Sequence, residues 1–293
     1  MPKATVGLLH PGEMGATVGA AAKAAGARVV WASEDRSPAS QSRASAYELE
    51  DLGSIDRLVA TADFIISVCP PHSALEVARS VAARRFPGVY IDANAVSPAR
   101  ARTMAGVIEN AGGTFVDGGI IGPPAVQPRS TRLYLSGPLV ERVAQLFHGS
   151  MLETVQMNAS IGAASALKMA YSSWTKGSAA LLIALRAFAI TEGIDADLLA
   201  EWRRSIPDLP ERSERTLNLN ARNAWRFVGE MEEIADTFKA AGFPTGFPFA
   251  AMEIFQRLGH YKHASSPPSL AEVATVIRAS ETMAPSSEPT VGE

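Results

Sequence analysis

Short, nearly uninterrupted apolar runs alternate with longer helical stretches through the first half of the chain. The runs are Thr5-Val6-Gly7-Leu8-Leu9, Ala27-Arg28-Val29-Val30-Trp31-Ala32, Asp63-Phe64-Ile65-Ile66-Ser67-Val68-Cys69, Val89-Tyr90-Ile91-Asp92, Thr114-Phe115-Val116-Asp117 and Arg132-Leu133-Tyr134-Leu135-Ser136. Between them lie an alanine-rich stretch ending near Gly26, a segment from Ser73 to Arg85 entered through Pro70-Pro71, and a segment from Pro98 to Ala111. A strand buried on both faces carries a continuous apolar run, and strands separated by helices pair in parallel. The pattern predicts a doubly wound parallel α/β sheet whose series closes at Arg132–Ser136. Ligands of such sheets bind outside the carboxyl ends of the strands. The loops after Leu9, Ala32, Cys69, Asp92 and Asp117 are therefore where chemistry is to be sought.

From about Ile161 the texture changes and no β pattern recurs. Ile161 to Thr191 predicts one small-residue-rich helix, about 45 Å long if continuous. Gly193 suits a helix C-cap and Asp195 the N-cap of the next helix. Helical patterns follow over 196–205, 211–222, 224–241 and 248–258, with Gly242 and Pro244 as a stop signal. Leu270 to Thr282 predicts a last helix, and the final ten or so residues have a disordered composition, rich in Pro, Ser and Glu. The chain divides on this reading into an α/β domain at 1–160, an all-α domain at 161–264 and a partly disordered tail at 265–293.

Composition narrows the classes. With 293 residues, 47% hydrophobic and 19% charged, the chain can bury a core in each of two domains. A net charge of −3 offers no basic surface for nucleic acid or membrane. The longest apolar stretch, Ala179 to Ile190, is broken by Arg186 and is shorter than a membrane span. Cys69 is the one cysteine, which excludes an internal disulfide; with no secretory signal ahead of the first strand, a cytoplasmic location is expected. The histidines are scattered, so no metal site is expected.

The first run ends in His10-Pro11-Gly12-Glu13-Met14-Gly15, and a helix follows. Glycine lets a backbone approach a pyrophosphate, and the helix beyond presents free N–H groups and a positive dipole end to the phosphates. This is the layout of a Rossmann dinucleotide-binding unit, although His10 stands where the usual three-glycine fingerprint has its first glycine. The adenosine ribose is read at the end of the second strand, by Ser33, Glu34, Arg36 and Ser37. A carboxylate there selects NAD, and a hydroxyl with an arginine accommodates the 2′-phosphate of NADP. Ser33 holds the slot nearest the strand end and Arg36 can reach a phosphate, so NADP(H) is preferred and NAD(H) is the second option.

The candidate acid/base is Lys168, set in the apolar helical stretch from Gly162. Residues at i, i+3, i+4 and i+7 share a helical face, so Lys168, Tyr171, Ser172 and Thr175 form a polar stripe. A lysine at a cleft between domains can protonate or deprotonate a carbonyl oxygen while hydride moves at carbon. The plain alternative is a lysine that snorkels to water. Lys176, two turns on, is the local competitor. Glu230 and Glu233 lie one turn apart and are acid/base or amine-binding candidates, or a solvated face. His72 is a cleft or surface histidine; Trp174 and Trp225 are expected in core or interface packing, and Cys69 as a buried small hydrophobe.

Several segments in register are similar to the β-hydroxyacid dehydrogenase and 6-phosphogluconate dehydrogenase superfamily. They are the His10–Gly15 turn, the Val68-Cys69-Pro70 strand end, Asp92-Ala93-Asn94-Ala95-Val96-Ser97-Pro98, Asp117-Gly118-Gly119-Ile120-Ile121-Gly122-Pro123, Leu133 to Gly137, and the Gly162 to Lys168 helix. The segment Ala224-Trp225-Arg226-Phe227-Val228-Gly229-Glu230-Met231-Glu232-Glu233 resembles an uncharacterised C-terminal domain found in a subgroup of these proteins. The resemblance implies NAD(P)-dependent oxidation of a hydroxyl next to an acid group, or the reverse. It implies that Lys168 is the catalytic lysine, that Asn94 and Ser97 meet substrate and nicotinamide, and that Val68, Cys69 and Pro70 flank the nicotinamide and its ribose. Gly122 and Pro123 then fall in the loop that grips the substrate carboxylate.

Three departures bear on the substrate. The family's Ser-Gly-Gly is here Ile121-Gly122-Pro123, the asparagine four residues after the lysine is Ser172, and the C-terminal lysine has no counterpart near Glu230. Each removes polar grip on a small acid and points to a less polar or larger substrate. The reading is an NAD(P)-dependent oxidoreductase acting on a small hydroxy acid-like molecule, with Lys168 as acid/base and Ser172 and Asn94 orienting the substrate, which Ser97, Ile121, Gly122, Pro123 and Tyr171 line. The rivals are an imine or iminium reductase of the same fold and a non-catalytic dinucleotide-binding protein. The small-residue-rich helix at 161–190 predicts a homodimer.

Overall fold

The computed structural model describes residues 3–278. Its first part alternates strands and helices: β1 (Thr5–Leu8), α1 (Glu13–Ala24), β2 (Arg28–Trp31), α2 (Pro38–Ala46), β3 (Glu50–Asp51), α3 (Ile55–Thr61), β4 (Phe64–Ser67), α4 (Ala74–Ala83), β5 (Val89–Asp92), α5 (Pro98–Asn110), β6 (Thr114–Ile121), β7 (Thr131–Ser136), α6 (Val140–Gln145) and β8 (Leu152–Gln156). Helices alone follow: α7 (Ala163–Thr191), α8 (Asp195–Ser205), α9 (Leu209–Asn220), α10 (Ala224–Ala240), α11 (Gly246–Leu258) and α12 (Leu270–Arg278). The sequence-predicted extension of the last helix to Thr282, and the predicted disordered end, lie outside the described residues.

The eight strands form one sheet in the order β3-β2-β1-β4-β5-β6-β7-β8. Every pairing is parallel except β6 with β7. Successive residues feed opposite layers: Val29, Trp31, Phe64, Ile66 and Ile91 enter one core cluster, and Val30, Ile65 and Tyr90 the other. This is the α/β Rossmann architecture predicted, with an all-α region after it.

Some predictions need correction. The series does not close at Ser136, because β8 adds an edge strand whose Glu, Thr and Gln positions carry no apolar run. No loop follows Asp117: β6 continues through Gly118 and Gly119 to Ile121, which is 4% exposed and pairs with Arg132. The glycines mark close approach there and do not form a turn. A Cβ on Gly118 would lie 2.7 Å from the Asp92 carbonyl oxygen, and one on Gly119 would lie 2.8 Å from that of Ala164.

Two compact units are distinguished among the described residues. The first runs to Ser172 and takes in Glu233–Phe243; the second comprises Ser173–Glu232 and the residues from Pro244 onward. The divide falls within α7 and α10 and differs from the 160/161 border read in the sequence, because the first turns of α7 are hydrogen-bonded to β6.

In the second unit Arg186 is 5% exposed. Its guanidinium forms a two-pronged pair with Asp195 at 2.7 and 3.1 Å and donates to the Ser213 hydroxyl at 2.7 Å. Asp195 is therefore a salt-bridge partner in the first turn of α8, and Ile194 occupies the N-cap position. Lys176 pairs with Glu230 at 2.9 Å and lies 5.1 Å above the Phe227 ring. Trp174 and Trp225 are not core residues: they are 64% and 40% exposed, beneath Arg212 and Lys262 respectively. No helix among the described residues is long and apolar enough to cross a membrane.

Candidate active site

The site is built in the first unit, on the carboxyl ends of β1, β4, β5 and β6. At β1, helix α1 starts at Glu13 with Gly12 as an N-cap that provides no side-chain hydrogen bond. The roles of the two glycines separate cleanly. A Cβ on Gly15 would run into the His10 carbonyl oxygen, so Gly15 serves the turn itself. A Cβ on Gly12 would meet nothing within 4 Å. The fold does not need Gly12: a side chain there would project into open space at the helix N-terminus.

Two buried nitrogens near this turn, His10 Nδ1 and Arg36 Nε, have no hydrogen-bond partner. Burial, aided by the Arg36 cation, pushes the His10 pKa down to about 4, so the imidazole is neutral. A bare helix N-terminus with an unpartnered guanidinium nitrogen and a neutral imidazole fits a phosphate-bearing ligand. Arg43 pins the turn by donating Nε to the Pro11 carbonyl at 3.1 Å. The sequence reading missed Arg43, which sits on a helix of weak pattern. At the end of β2, Glu34 and Ser37 are exposed and Ser33 and Arg36 half-buried. Ser37 is the N-cap of α2, its hydroxyl accepting from Ser40 N–H at 3.3 Å.

The loops after β4 and β5 are joined by Asn94, which is 3% exposed. Its oxygen accepts from Cys69 N–H at 2.5 Å, and its amide nitrogen donates to Ser67 Oγ at 3.1 Å and to Asp92 Oδ1 at 2.5 Å. Both amide hydrogens are thus engaged within the protein. Asn94 fixes the two loops against each other. Val68 and Cys69 are half-buried and Pro70 exposed beside it. Ser97 is the N-cap of α5, and its N–H donates to Glu233 at 2.7 Å. Glu230 and Glu233, predicted as neighbours on one face, are both in ion pairs.

Lys168 is placed by β6. Asp117, fully buried, accepts at Oδ2 from Gly162 N–H (2.9 Å), Ser165 N–H (3.1 Å) and Ser136 Oγ (2.8 Å), and at Oδ1 from Ser165 Oγ (2.6 Å). Two residues on, on the same strand face, the missing side chain of Gly119 lets Lys168 Cβ come within 3.2 Å of where a Cβ would stand. Asp117 caps the start of α7, and Gly119 admits its second turn; together they set Lys168 over the strand. Among the stripe residues, Ser172 is fully buried with an unpartnered hydroxyl, whereas Tyr171 is 45% exposed. The stripe is therefore not one environment. Gly122 and Pro123 are exposed in the turn after β6, where Gly122 has a φ of +125° and the Pro123 carbonyl accepts from Thr131 at 2.5 Å. Thr17 ties this loop to α1, accepting from Ala125 N–H at 3.1 Å and donating to the Met14 carbonyl at 2.9 Å. Thr17 gave no sequence signal.

The fold and its nucleotide turn define a dinucleotide-binding oxidoreductase architecture. Residues 4–140 match the family model of the NAD binding domain of 6-phosphogluconate dehydrogenase, and residues 189–258 match that of a domain family of unknown function, DUF1932. An uncharacterized 28.5 kDa protein encoded in the 7S RNA 5′ region of Methanothermus fervidus is 33% identical over 143 residues, 48% of this chain and 54% of that protein. The match spans about half the length of that curated relative. Among solved structures, the conserved protein MTH1747, of unknown function and described as structurally similar to 3-hydroxyacid dehydrogenases, is 28% identical, with a TM-score of 0.67 over 88% of this chain and 98% of that one. A 3-hydroxyisobutyrate dehydrogenase from Mycobacterium tuberculosis, solved with L-serine, is 18% identical and shares the fold with a TM-score of 0.71 over 95% and 100% of the two chains.

Proposed function

We propose that this protein is an NAD(P)-dependent oxidoreductase that moves hydride between nicotinamide and the hydroxyl or carbonyl carbon of a small, hydroxy acid-like molecule. The observation that carries this reading is the seat built for Lys168 by Asp117 and Gly119, on the same sheet as the bare Gly12 turn. The nucleotide, when bound, supplies or accepts the hydride. Lys168 gives or takes the proton at the substrate oxygen, and the buried Ser172 hydroxyl orients it. Val68, Cys69 and Pro70, held by Asn94, flank the nicotinamide. The exposed Gly122-Pro123 turn offers few donors to a carboxylate, which favours a less polar substrate. NADP(H) is preferred over NAD(H), because the Arg36 guanidinium, whose Nε has no hydrogen-bond partner, suits a 2′-phosphate. Nucleotide binding is assigned to the α/β part of the chain, and the protein acts in the cytoplasm.

The test is a fluorescence titration with NADPH and NADH, followed by turnover on hydroxy acids, aldehydes and cyclic imines. Arg36→Ala should weaken NADPH binding about 10- to 100-fold and leave NADH nearly unchanged. Lys168→Ala should cut carbonyl turnover by roughly 10²–10⁴ with NADPH affinity retained. Imine turnover that survives in Lys168→Ala would replace this reading with imine reduction. Nucleotide binding without turnover would leave a non-catalytic binding protein, and no binding would remove the reading altogether.

We also propose a homodimer formed through α7. Its small residues Ala179, Ala180, Ala187 and Ala189 are buried within the chain, so they are not the contact the sequence suggested. Its large apolar residues Trp174, Leu181, Leu185 and Phe188 are 64%, 54%, 39% and 59% exposed. They recur at the 7-, 4- and 3-residue spacing of one helical face, which a second copy would cover. Light scattering should read twice the chain mass, falling to one chain in the Leu181→Glu/Leu185→Glu variant; a monomeric wild type would refute it.

A further inference from the structure

Glu233 is 136 residues from Ser97 in the chain and only 2% exposed. One carboxylate oxygen accepts from Ser97 N–H at 2.7 Å; the other pairs with Arg100 Nε at 2.8 Å. The start of α5 explains why. Ser97 is its N-cap, Pro98 occupies the first helical position, and Ser97 Oγ accepts from Arg100 N–H at 3.4 Å. In a capping box the residue three after the cap is Glu or Gln, whose side chain returns to the N–H of the cap residue. Here that residue is Arg100, which can only donate. The buried Ser97 N–H would be left without an acceptor. Glu233 supplies that acceptor from α10, and its second oxygen takes up the very arginine that replaced the usual acid. Burial raises the pKa of this carboxyl, against the Ser97 amide and the Arg100 cation, which lower it.

The consequence reaches the nucleotide side of the site. Ser97 ends the segment that begins at Asp92, and Asn94 in that segment holds Cys69 N–H. We propose that Glu233 is a positioning residue for the loops after β4 and β5: it completes the α5 capping box from a distant helix and thereby fixes Ala93–Ser97 and, through Asn94, Val68–Pro70. This rests on the reading above that these loops flank the nicotinamide.

The experiment uses the full-length protein and three variants: Glu233→Ala, Glu233→Gln, and Glu233→Ala combined with Arg100→Glu. The last rebuilds a local Ser-Pro-Ala-Glu box. Two quantities are read: amide hydrogen exchange of residues 93–100, and NADPH affinity by fluorescence. Glu233→Ala should speed exchange there at least about tenfold and weaken NADPH about 5- to 10-fold. Glu233→Gln should stay near wild type in exchange, because its amide oxygen still accepts from Ser97. The double variant should recover both quantities. Unchanged exchange in Glu233→Ala, faster exchange with unaltered NADPH affinity, or no recovery in the double variant would each overturn the proposal. Should Glu233→Ala fail to fold, a folded double variant supports it and an unfolded one overturns it. If wild type binds no NADPH, the oxidoreductase reading and the nucleotide role of Glu233 fall, while exchange alone still decides whether Glu233 completes the cap.

Discussion

Asp117→Ala should lower stability by about 3–5 kcal/mol, the cost of emptying a buried carboxylate site whose partners stay buried. Four donors converge on this side chain: two backbone N–H groups at the start of α7 and the hydroxyls of Ser136 and Ser165. The serines can turn toward other acceptors. The N–H groups of Gly162 and Ser165 cannot, because the chain path fixes them. Two orphaned buried N–H groups at about 1–3 kcal/mol each, with the lost favourable charge at a helix N-terminus, give that range. The melting temperature should drop by roughly 10 °C in a circular-dichroism scan. Asp117→Asn keeps the volume and an accepting oxygen but turns a donor toward donors, and should lose about half as much. Unchanged melting in Asp117→Ala would mean that packing alone holds α7 on β6, and the account of how Lys168 is seated would fail with it.

What the sequence made legible follows from where each signal resides. Strands β1, β2, β4 and β5 are buried on both faces, so a local apolar run discloses them almost to the residue. Strand β8, with Leu152 buried and Glu153 and Gln156 exposed, has no such run and stayed hidden. Gly118 and Gly119 have the composition of a turn, yet they lie mid-strand because β5 and α7 press on them from elsewhere in the chain. The same division governs the site. The Gly12 turn and Lys168 were readable because each is announced by its own neighbours. The jobs of Asp117, Asn94 and Glu233 were not, since their partners lie 45, 25 and 136 residues away. A residue type can be read from a sequence; its acceptor or donor across the fold cannot. Asn94 shows the consequence. Its type and place in the loop suggested a substrate contact, and only the geometry discloses that both its hydrogens are taken.

Asp92→Asn should convert a pH-dependent stability into one less sensitive to alkali. Asp92 is fully buried at the end of β5, in register with Asp117 on β6. Burial, reinforced by the Asp117 carboxylate, pushes its pKa from 3.8 up to about 8, although Asn94 donates to it. Its Oδ2 meets no partner. Of its neighbours, the Cys69 thiol is pushed up to about 12 and the Tyr90 phenol higher than its ordinary value, both chiefly by burial, so neither titrates below pH 8. Between about pH 4 and 8 the folded protein holds a proton on Asp92 that the unfolded chain has lost. Stability from this group is complete below pH 4, falls by about 1.4 kcal/mol per unit as pH rises, and is gone above pH 8. His10 acts oppositely between about pH 4 and 6.5, where the unfolded chain is the one that binds the extra proton. It masks the Asp92 slope in that range, so the wild-type decline should emerge between about pH 6.5 and 8. Glu233, whose pKa is also raised, acts in the same sense as Asp92 but is present in both proteins. Both it and His10 therefore cancel from the difference between variant and wild type. That difference, measured by urea unfolding from pH 5 to 9, should grow in favour of Asp92→Asn up to about pH 8 and then level off. A difference that does not change with pH would mean that Asp92 is already ionised in the folded protein, and that the Asn94 bonds are enough to hold its charge beside Asp117.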